Sequence, residues 1–265
     1  MGTSSAVKFR ANRDTIEVTR TVTDARMAVF DSHWILRSCC ESFATGLGAS
    51  PESLVGVHLD AIVGADAGAD RRDLCRPAME RGERVQYATI CAGRRSIVTV
   101  FPLDSSAFGH EGVLTVVCPA SSPEEGRGLP VARVPALGNG LGKLSKAELC
   151  VAYLFATGLT VAQIGERLSR SEHTVNDHIK AIHRKLNVSR QVELATFLAH
   201  AGIAGFTESE WCLLTHANMP NPSTSCEVKA PTTAQKRVAH VVAASLAAPA
   251  GVIPCGDGPS HRLSH

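Results

Sequence analysis

The chain has 265 residues, 44% of them hydrophobic, and a formal charge of +2 at neutral pH; that length allows about two domains, each with its own core. No run of about twenty apolar residues occurs, and no basic start is followed by an apolar stretch, which argues against a membrane span and a secretory leader. The nine cysteines are odd in number, contain no Cys-x-x-Cys and include the adjacent Cys39 and Cys40, which fits reduced thiols in a cytoplasm better than a disulfide framework.

Residues 1–23 are polar and rich in Thr and Arg, and are expected as a flexible arm. Order is expected from near Met27, where Ala28–Asp31 and Trp34–Arg37 flank Ser32-His33 as a hairpin. A helical stretch follows over Glu41–Gly46, then a short helix with Ser50 at its cap and Pro51 at the first helical position. Leu59 and Ile62 mark another turn of helix, and Arg71–Arg81 a longer helix ended by Gly82. Three strand-like runs follow: Arg84–Cys91, Arg95–Leu103 and Gly112–Cys118, with turns at Gly93 and over Ser105–Glu111. The order predicts an α+β domain over 24–120, a five-stranded antiparallel sheet with helices on one face. From Arg13 to Glu125, eleven Arg and no Lys stand against sixteen Asp and Glu, a balance of −5. An acidic half of this kind would not hold nucleic acid by itself.

Pro119–Lys143 holds four Pro and five Gly in 25 residues, and 121–143 is expected as a semi-extended linker. From Leu144 the pattern becomes helical. Ser145 with Glu148 forms a capping box, Val151, Leu154 and Phe155 recur at helical spacing, and Gly158 closes the helix. Thr160 with Gln163 repeats the box before a short helix carrying Ile164 and Leu168. After a tight turn at Ser169–Ser171 a longer helix begins, capped by Ser171. A short helix, a tight turn and a longer helix form the helix-turn-helix rhythm.

On the longer helix Val175, Ile179, Ile182 and Leu186 share one face. His173, Asn176, Asp177, Lys180 and Arg184 share the other, with Lys185 at its margin. Their lengths and donor-acceptor character suit base edges and phosphates, although any solvated helix face can look this way. Between Lys143 and Gly205, eight Lys and Arg stand against five acids, only +3. A binder this weakly basic is expected to act as a dimer on two half-sites. Beyond Gly205 a short helix is expected over Glu208–His216, with 206–265 otherwise read as a mostly disordered tail that has helical potential at 234–248.

Leu144, Glu148, Gly158-Leu159-Thr160, Ile164, Leu168, Ser171-Glu172-x-Thr174-Val175, His178, Lys185-Leu186 and Arg190 fall in order over about sixty residues. They resemble the LuxR-type (GerE-like) helix-turn-helix of bacterial transcription regulators. The resemblance implies an all-α four-helix domain over 144–205 whose third helix enters the major groove and whose fourth pairs monomers. It implies that Asn176, Asp177 and Lys180 face bases, with Thr174, Lys185 and Arg190 at phosphate or scaffold positions; Arg184, on the same polar helix face, completes the expected DNA-binding set. Asp177 would then accept from a cytosine amino group or set the pose of Lys180. Three residues depart from the family pattern: Ala147 in place of Arg, Gly165 in place of Ala, and Arg170 in place of an apolar residue. A helical glycine in place of Ala is expected to cost about 1 kcal/mol.

The order of elements in the front half, with the turn at Asp31 and the segment Ser50-Pro51-Glu52-Ser53-Leu54-Val55-Gly56, resembles the PAS fold. That resemblance implies a sensory or dimerising domain with room for a small ligand. No cofactor is assigned. Flavin photochemistry would need a Cys after the motif glycine, and Gly56 is followed by Val57-His58-Leu59-Asp60. Haem would rest on His33 or His58, for which a turn and a loop are the simpler account. Cys39, Cys40, Cys75 and Cys91 could form a redox sensor or simply pack as small hydrophobes. No catalytic constellation, metal-ligand set or phosphate-binding loop stands out, so no enzymatic activity is expected.

The expected function is a cytoplasmic bacterial DNA-binding transcription regulator, located at the nucleoid when bound. Its partners would be double-stranded DNA and a second copy of the chain, with RNA polymerase a further candidate and no membrane. Two alternatives stay open: a protein-interaction adaptor, kept alive by Asp177 and the modest basicity, and a sigma-factor-like protein acting with core polymerase.

Overall fold

The strand order of the N-terminal sheet is β2-β1-β5-β4-β3, every pair antiparallel. The strands are β1 (Arg26–Asp31), β2 (Leu36–Cys39), β3 (Val85–Cys91), β4 (Arg94–Pro102) and β5 (Gly112–Pro119). The structure, a computed structural model, describes residues 25–134, 136–138, 140–217 and 219. The expected arm at 1–23 and the helical potential at 234–248 lie outside the described residues.

Side-chain alternation sets the two faces. On β1, Ala28 and Phe30 join the core beneath the helices, whereas Met27 and Val29 join Leu114 and Val116 on the opposite face. The β1–β2 turn is built on the buried Asp31: one carboxylate oxygen accepts from the amides of His33 and Ile35, both at 2.9 Å, and the other from Arg37 Nε at 2.7 Å. The hairpin β3–β4 closes over Ala92 and Gly93, both with positive φ (50° and 75°), as a two-residue turn requires.

Between β2 and β3 lie α1 (Glu41–Thr45), α2 (Pro51–Leu54), α3 (Leu59–Val63) and α4 (Ala65–Arg81). The long helix α4 begins six residues earlier than the Arg71 start expected from the sequence. Gly64, at φ 82°, both ends α3 and starts α4 there. Cys75 and Ala78 of α4 pack on Tyr87, Val98 and Val100 of the sheet. The stretch 105–111, expected as a turn, contains one turn of helix, α5 (Ser105–Phe108), because the Asp104 side chain caps the Ser106 amide at 3.0 Å. The N-terminal half is thus PAS-like: a five-stranded antiparallel sheet with α1–α4 on one face, while Phe108 of α5 packs on the other.

The segment expected as a semi-extended linker also bridges to the edge of the sheet. The Ala88 amide donates to Pro130 O at 2.8 Å and the Ala132 amide to Ala88 O at 2.9 Å, a parallel bridge along β3. Edge strand β3 offers unpaired backbone groups that an extended segment can satisfy. Ala132 is fully buried, and Asp70 of α4 grips Arg133 through Nε and Nη2, each at 2.7 Å. Leu137 and Leu141 then enter the core of the second domain.

That domain comprises α6 (Lys146–Ala156), α7 (Val161–Leu168), α8 (Glu172–Leu186), α9 (Gln191–Ala201) and α10 (Glu208–Thr215), with single 3-10 turns at Leu141–Lys143 and Ile203–Gly205. The last helix falls where a short helix was expected, over Glu208–His216, and it packs in the domain core. Trp211 is completely buried, stacks on Tyr153 at 5.9 Å and donates from Nε1 to Leu149 O at 3.1 Å. An indole with both its face and its polar edge satisfied holds residues 206–215 in the core.

The two halves share one hydrophobic cluster, in which Ile90 and Ile97 of the sheet meet residues of the helical domain. Arg95 on β4 is buried among them: it donates to Glu125 O and lies over the Phe206 ring, 5.1 Å from its centroid. Gly202 and Gly205 make room for it, since a Cβ on either would come within 2.9 Å of the Arg95 side chain. Among the described residues, no helix is long and apolar enough to cross a membrane.

Candidate nucleic-acid interface

The helix-turn-helix unit is α7, its turn and α8. Thr160 and Gln163 cap α7 reciprocally, at 2.9 and 3.3 Å. Ser169 ends it in the left-handed region, φ 53°, and the Arg170 amide returns to Gly165 O at 2.8 Å. Gly165 therefore has a steric reason that reverses the cost expected from helix propensity. A Cβ there would sit 2.8 Å from Arg170 O, so alanine would push the turn outward. Ser171 then caps α8, its Oγ accepting from the Thr174 amide at 3.2 Å.

Val175 and Ile182 of α8 are fully buried and Ile179 nearly so, against α6 and α7. The opposite face is open: His173, Asn176, Asp177, Lys180 and Arg184 are all exposed. Asp177 links two of these groups, with Lys180 Nζ at 3.1 Å and His173 Nε2 at 3.4 Å. The Lys180 hydrogen bond holds the Asp177 carboxyl below its ordinary pKa, so the carboxylate remains charged on this face. Arg184 is exposed and makes no ion pair among the described residues.

The remaining expected residues divide differently. Thr174 is half-buried, its Oγ1 2.9 Å from Ser171 Oγ, where it braces the start of α8. Lys185 donates to Glu148 Oε2 at 2.7 Å, and Glu148, which is buried, also accepts from the Ser145 amide at 2.6 Å. Burial acts to raise the Glu148 pKa, but the bonds from Lys185 and Ser145 outweigh it and hold the carboxyl below its ordinary value. Lys185 is thus a bolt between α6 and α8. Arg190 stands at the start of α9, exposed, with Glu193 4.0 Å away. Asn176, Asp177, Lys180 and Arg184 form one contiguous patch; Lys185 faces inward and Arg190 belongs to the next helix.

A second site lies in the PAS-like half, and sequence reasoning did not locate it. A cavity of about 350 Å³ sits between the sheet and the helices, lined by Phe30, Trp34, Phe43, Leu59, Tyr87 and Val98. Val134, Ala136 and Gly138 of the connecting segment form part of its wall. The period-two pattern of β1, β3 and β4 could have nominated Phe30, Tyr87 and Val98; nothing local could have nominated Val134. His33 is exposed in the β1–β2 turn, and His58 caps α3 by accepting from the Asp60 amide at 3.1 Å. Neither lines the cavity. Cys75 does, and burial pushes its thiol up to about 12, which leaves it a packing group rather than a reactive one. Cys39, Cys40, Cys75 and Cys91 are all free thiols.

Residues 142–198 match the family described as bacterial regulatory proteins, luxR family. They form a LuxR-type domain. Comparison with curated proteins returns no match. Among solved structures, the chain is similar to VqmA of Vibrio cholerae in a complex with ligand and DNA, at 17% identity over 75% of this chain and 92% of that one, TM-score 0.41. A domain of an HTR-like protein from Haloarcula marismortui is 24% identical over 37% of this chain and 98% of its own, TM-score 0.34. The PAS domain of a LuxR-family transcriptional regulator from Burkholderia thailandensis, in complex with ethanol, is 15% identical over 38% of this chain and 93% of its own, TM-score 0.28.

Proposed function

We propose that this chain, whose residues 142–198 are a LuxR-type domain, is a cytoplasmic transcription regulator that binds operator DNA as a dimer and senses a small ligand. We assign sensing to 24–120 and DNA binding to 144–205, extended by α10. In this reading α8 enters the major groove. Asn176 and Lys180 reach base edges, Asp177 fixes the pose of Lys180 or accepts from a cytosine amino group, and Arg184 takes a phosphate. Thr174 and Arg190 flank the patch, and Lys185 supports it from behind.

The observation that carries this reading is the division of α8 into a buried apolar face and an open face of five polar residues. The small positive charge of the domain calls for two copies on one site, since phosphate neutralisation supplies most of the affinity. The cavity wall supplies the coupling. Val134, Ala136 and Gly138 face the cavity, while Leu137 and Leu141 of the same segment lie in the core of the helical domain. A ligand that moves that wall shifts the population between arrangements of the DNA-binding half.

The test is selection of binding sites from random duplexes, followed by titration at several salt concentrations. Sites with two-fold symmetry and a steep salt dependence are expected. Lys180→Ala should weaken binding, and loss of a phosphate contact at Arg184→Ala should reduce the log-log salt slope by about 1. Absence of salt-dependent DNA binding would leave the protein-interaction adaptor as the reading to pursue.

A further inference from the structure

The apolar cavity adjoins a second cleft of about 470 Å³, and the two share Arg26, Gly46, Cys91, Ala92 and Val117 in their walls. The cleft adds Arg94 and the hydroxyls of Ser42, Thr45 and Ser96. No Asp or Glu lines either space among the described residues.

The arginines differ in how far they are already used. Arg71, which lines the inner cavity, donates to the carbonyls of Ala67 and Arg133, both at 2.8 Å, and so serves the fold. Its acidic neighbour Asp70 is occupied by Arg133. Among the described residues, the one hydrogen bond Arg26 donates goes to Cys91 Sγ, at 2.9 Å, and a thiol is a weak acceptor that uses little of a guanidinium's capacity. Arg94 has no ion pair among the described residues. Two arginines thus face a cleft without a carboxylate, at the mouth of an apolar space lined by Phe30, Trp34 and Tyr87.

We propose that the joined cavity binds an amphipathic organic anion, with its apolar body in the inner space and a carboxylate held at the mouth by Arg26 and Arg94. A planar carboxylate takes two parallel hydrogen bonds from one guanidinium, a match that a neutral amide or hydroxyl cannot reproduce. The proposal rests on the reading of the PAS-like half as a ligand-binding domain and adds the chemical class. Arg26 begins β1 and Arg94 begins β4, so the anion would sit where two strands of the sheet start.

The experiment uses the full-length protein and pairs of probes that differ only in the head group: octanoate with octanamide, and naphthalene-1-acetate with its amide. Binding is followed by calorimetry and by the fluorescence of Trp34, which lines the cavity. In the unmodified protein each carboxylate should bind at least tenfold tighter than its amide, and the preference should shrink as salt is raised. Arg26→Gln and Arg94→Gln should each lower carboxylate affinity severalfold while amide affinity stays unchanged. The amide measurement also shows that the cavity remains folded in each variant. Equal affinity for acid and amide in the unmodified protein would overturn the anionic class and leave ligand binding standing. Failure of every probe to bind, acids and amides alike, would overturn both this inference and the ligand-sensing reading.

Discussion

Trp211→Ala should destabilise the helical domain more than any substitution on the open face of α8. Trp211 is fully buried, its ring stacks on Tyr153 with an interplanar angle of 19°, and its Nε1 bonds Leu149 O. Replacing a buried Trp by Ala costs about 3–5 kcal/mol through lost transfer energy and the cavity left behind. The stacked pair accounts for about 0.5–1.5 kcal/mol beyond its buried area, which places the estimate toward the middle or upper part of that range. If the described chain unfolds as one unit, each kcal/mol lowers Tm by about 2–4 °C, so a fall of roughly 8–16 °C is expected. The measurement is thermal unfolding followed by far-ultraviolet circular dichroism, with urea titration to give the free energy directly. Trp211→Phe, which keeps an aromatic ring over Tyr153 and loses the donor, should fall between the two. A loss below about 1 kcal/mol, within the range of ordinary surface substitutions, would refute the argument that α10 belongs to the domain core.

Lys180 and Lys185 are five residues apart and should behave oppositely. Lys180→Ala should change stability by less than about 0.5 kcal/mol and weaken DNA binding. Lys185→Ala should cost about 2 kcal/mol in urea titration, because it strips the buried Glu148 of its counter-charge. Glu148 itself predicts an acid sensitivity. Its folded-state pKa is depressed, so its stabilisation is complete above the ordinary value of 4.5 and fades as pH falls from there through the folded-state value. Glu148→Gln should flatten that part of the stability profile. Asp70→Asn removes the charged, bidentate hold on Arg133, a half-exposed pair worth about 1 kcal/mol. Hydrogen exchange at the Ala88 and Ala132 amides should then quicken about fivefold, and unchanged exchange would show that the bridge to β3 stands without Arg133.

In this family of predictions, the residues with the largest expected effect on stability are those whose partners lie far along the chain. Glu148 and Lys185 are 37 residues apart, Trp211 and Leu149 are 62 apart, and Asp70 and Arg133 are 63 apart. The residues proposed to reach bases and phosphate, Asn176, Asp177, Lys180 and Arg184, are all within one helix. A stability screen and a binding screen should therefore select different positions, and only the second should report on the open face of α8.

What the sequence determined by itself was whatever is encoded within a few residues. Capping boxes at Ser145 with Glu148 and at Thr160 with Gln163, and the Ser171 cap, placed three helix starts, because each satisfies amides that the helix leaves unpaired. Strand-like runs bounded by turn residues marked the strands of the PAS-like sheet, and period 3.6 separated the two faces of α8. The tertiary structure decided what depends on meeting a distant partner. The Pro- and Gly-rich composition of 121–143 reads as a loose connector, yet the unpaired edge of β3 captures Pro130–Ala132 and makes the segment part of a cavity wall. The helix expected over Glu208–His216 forms at Glu208–Thr215, but only the space beside Tyr153 makes its Trp211 a core residue. Lys185 carries the same charge as Lys180, and only the buried carboxylate on α6 turns it inward. Gly165 looked like a weak point in a helix until Arg170 O was found where its side chain would have been. Local hydrogen bonding and periodicity are short-range and survive in the one-dimensional pattern; sheet edges, buried counter-charges and close backbone approaches exist only after the chain has folded.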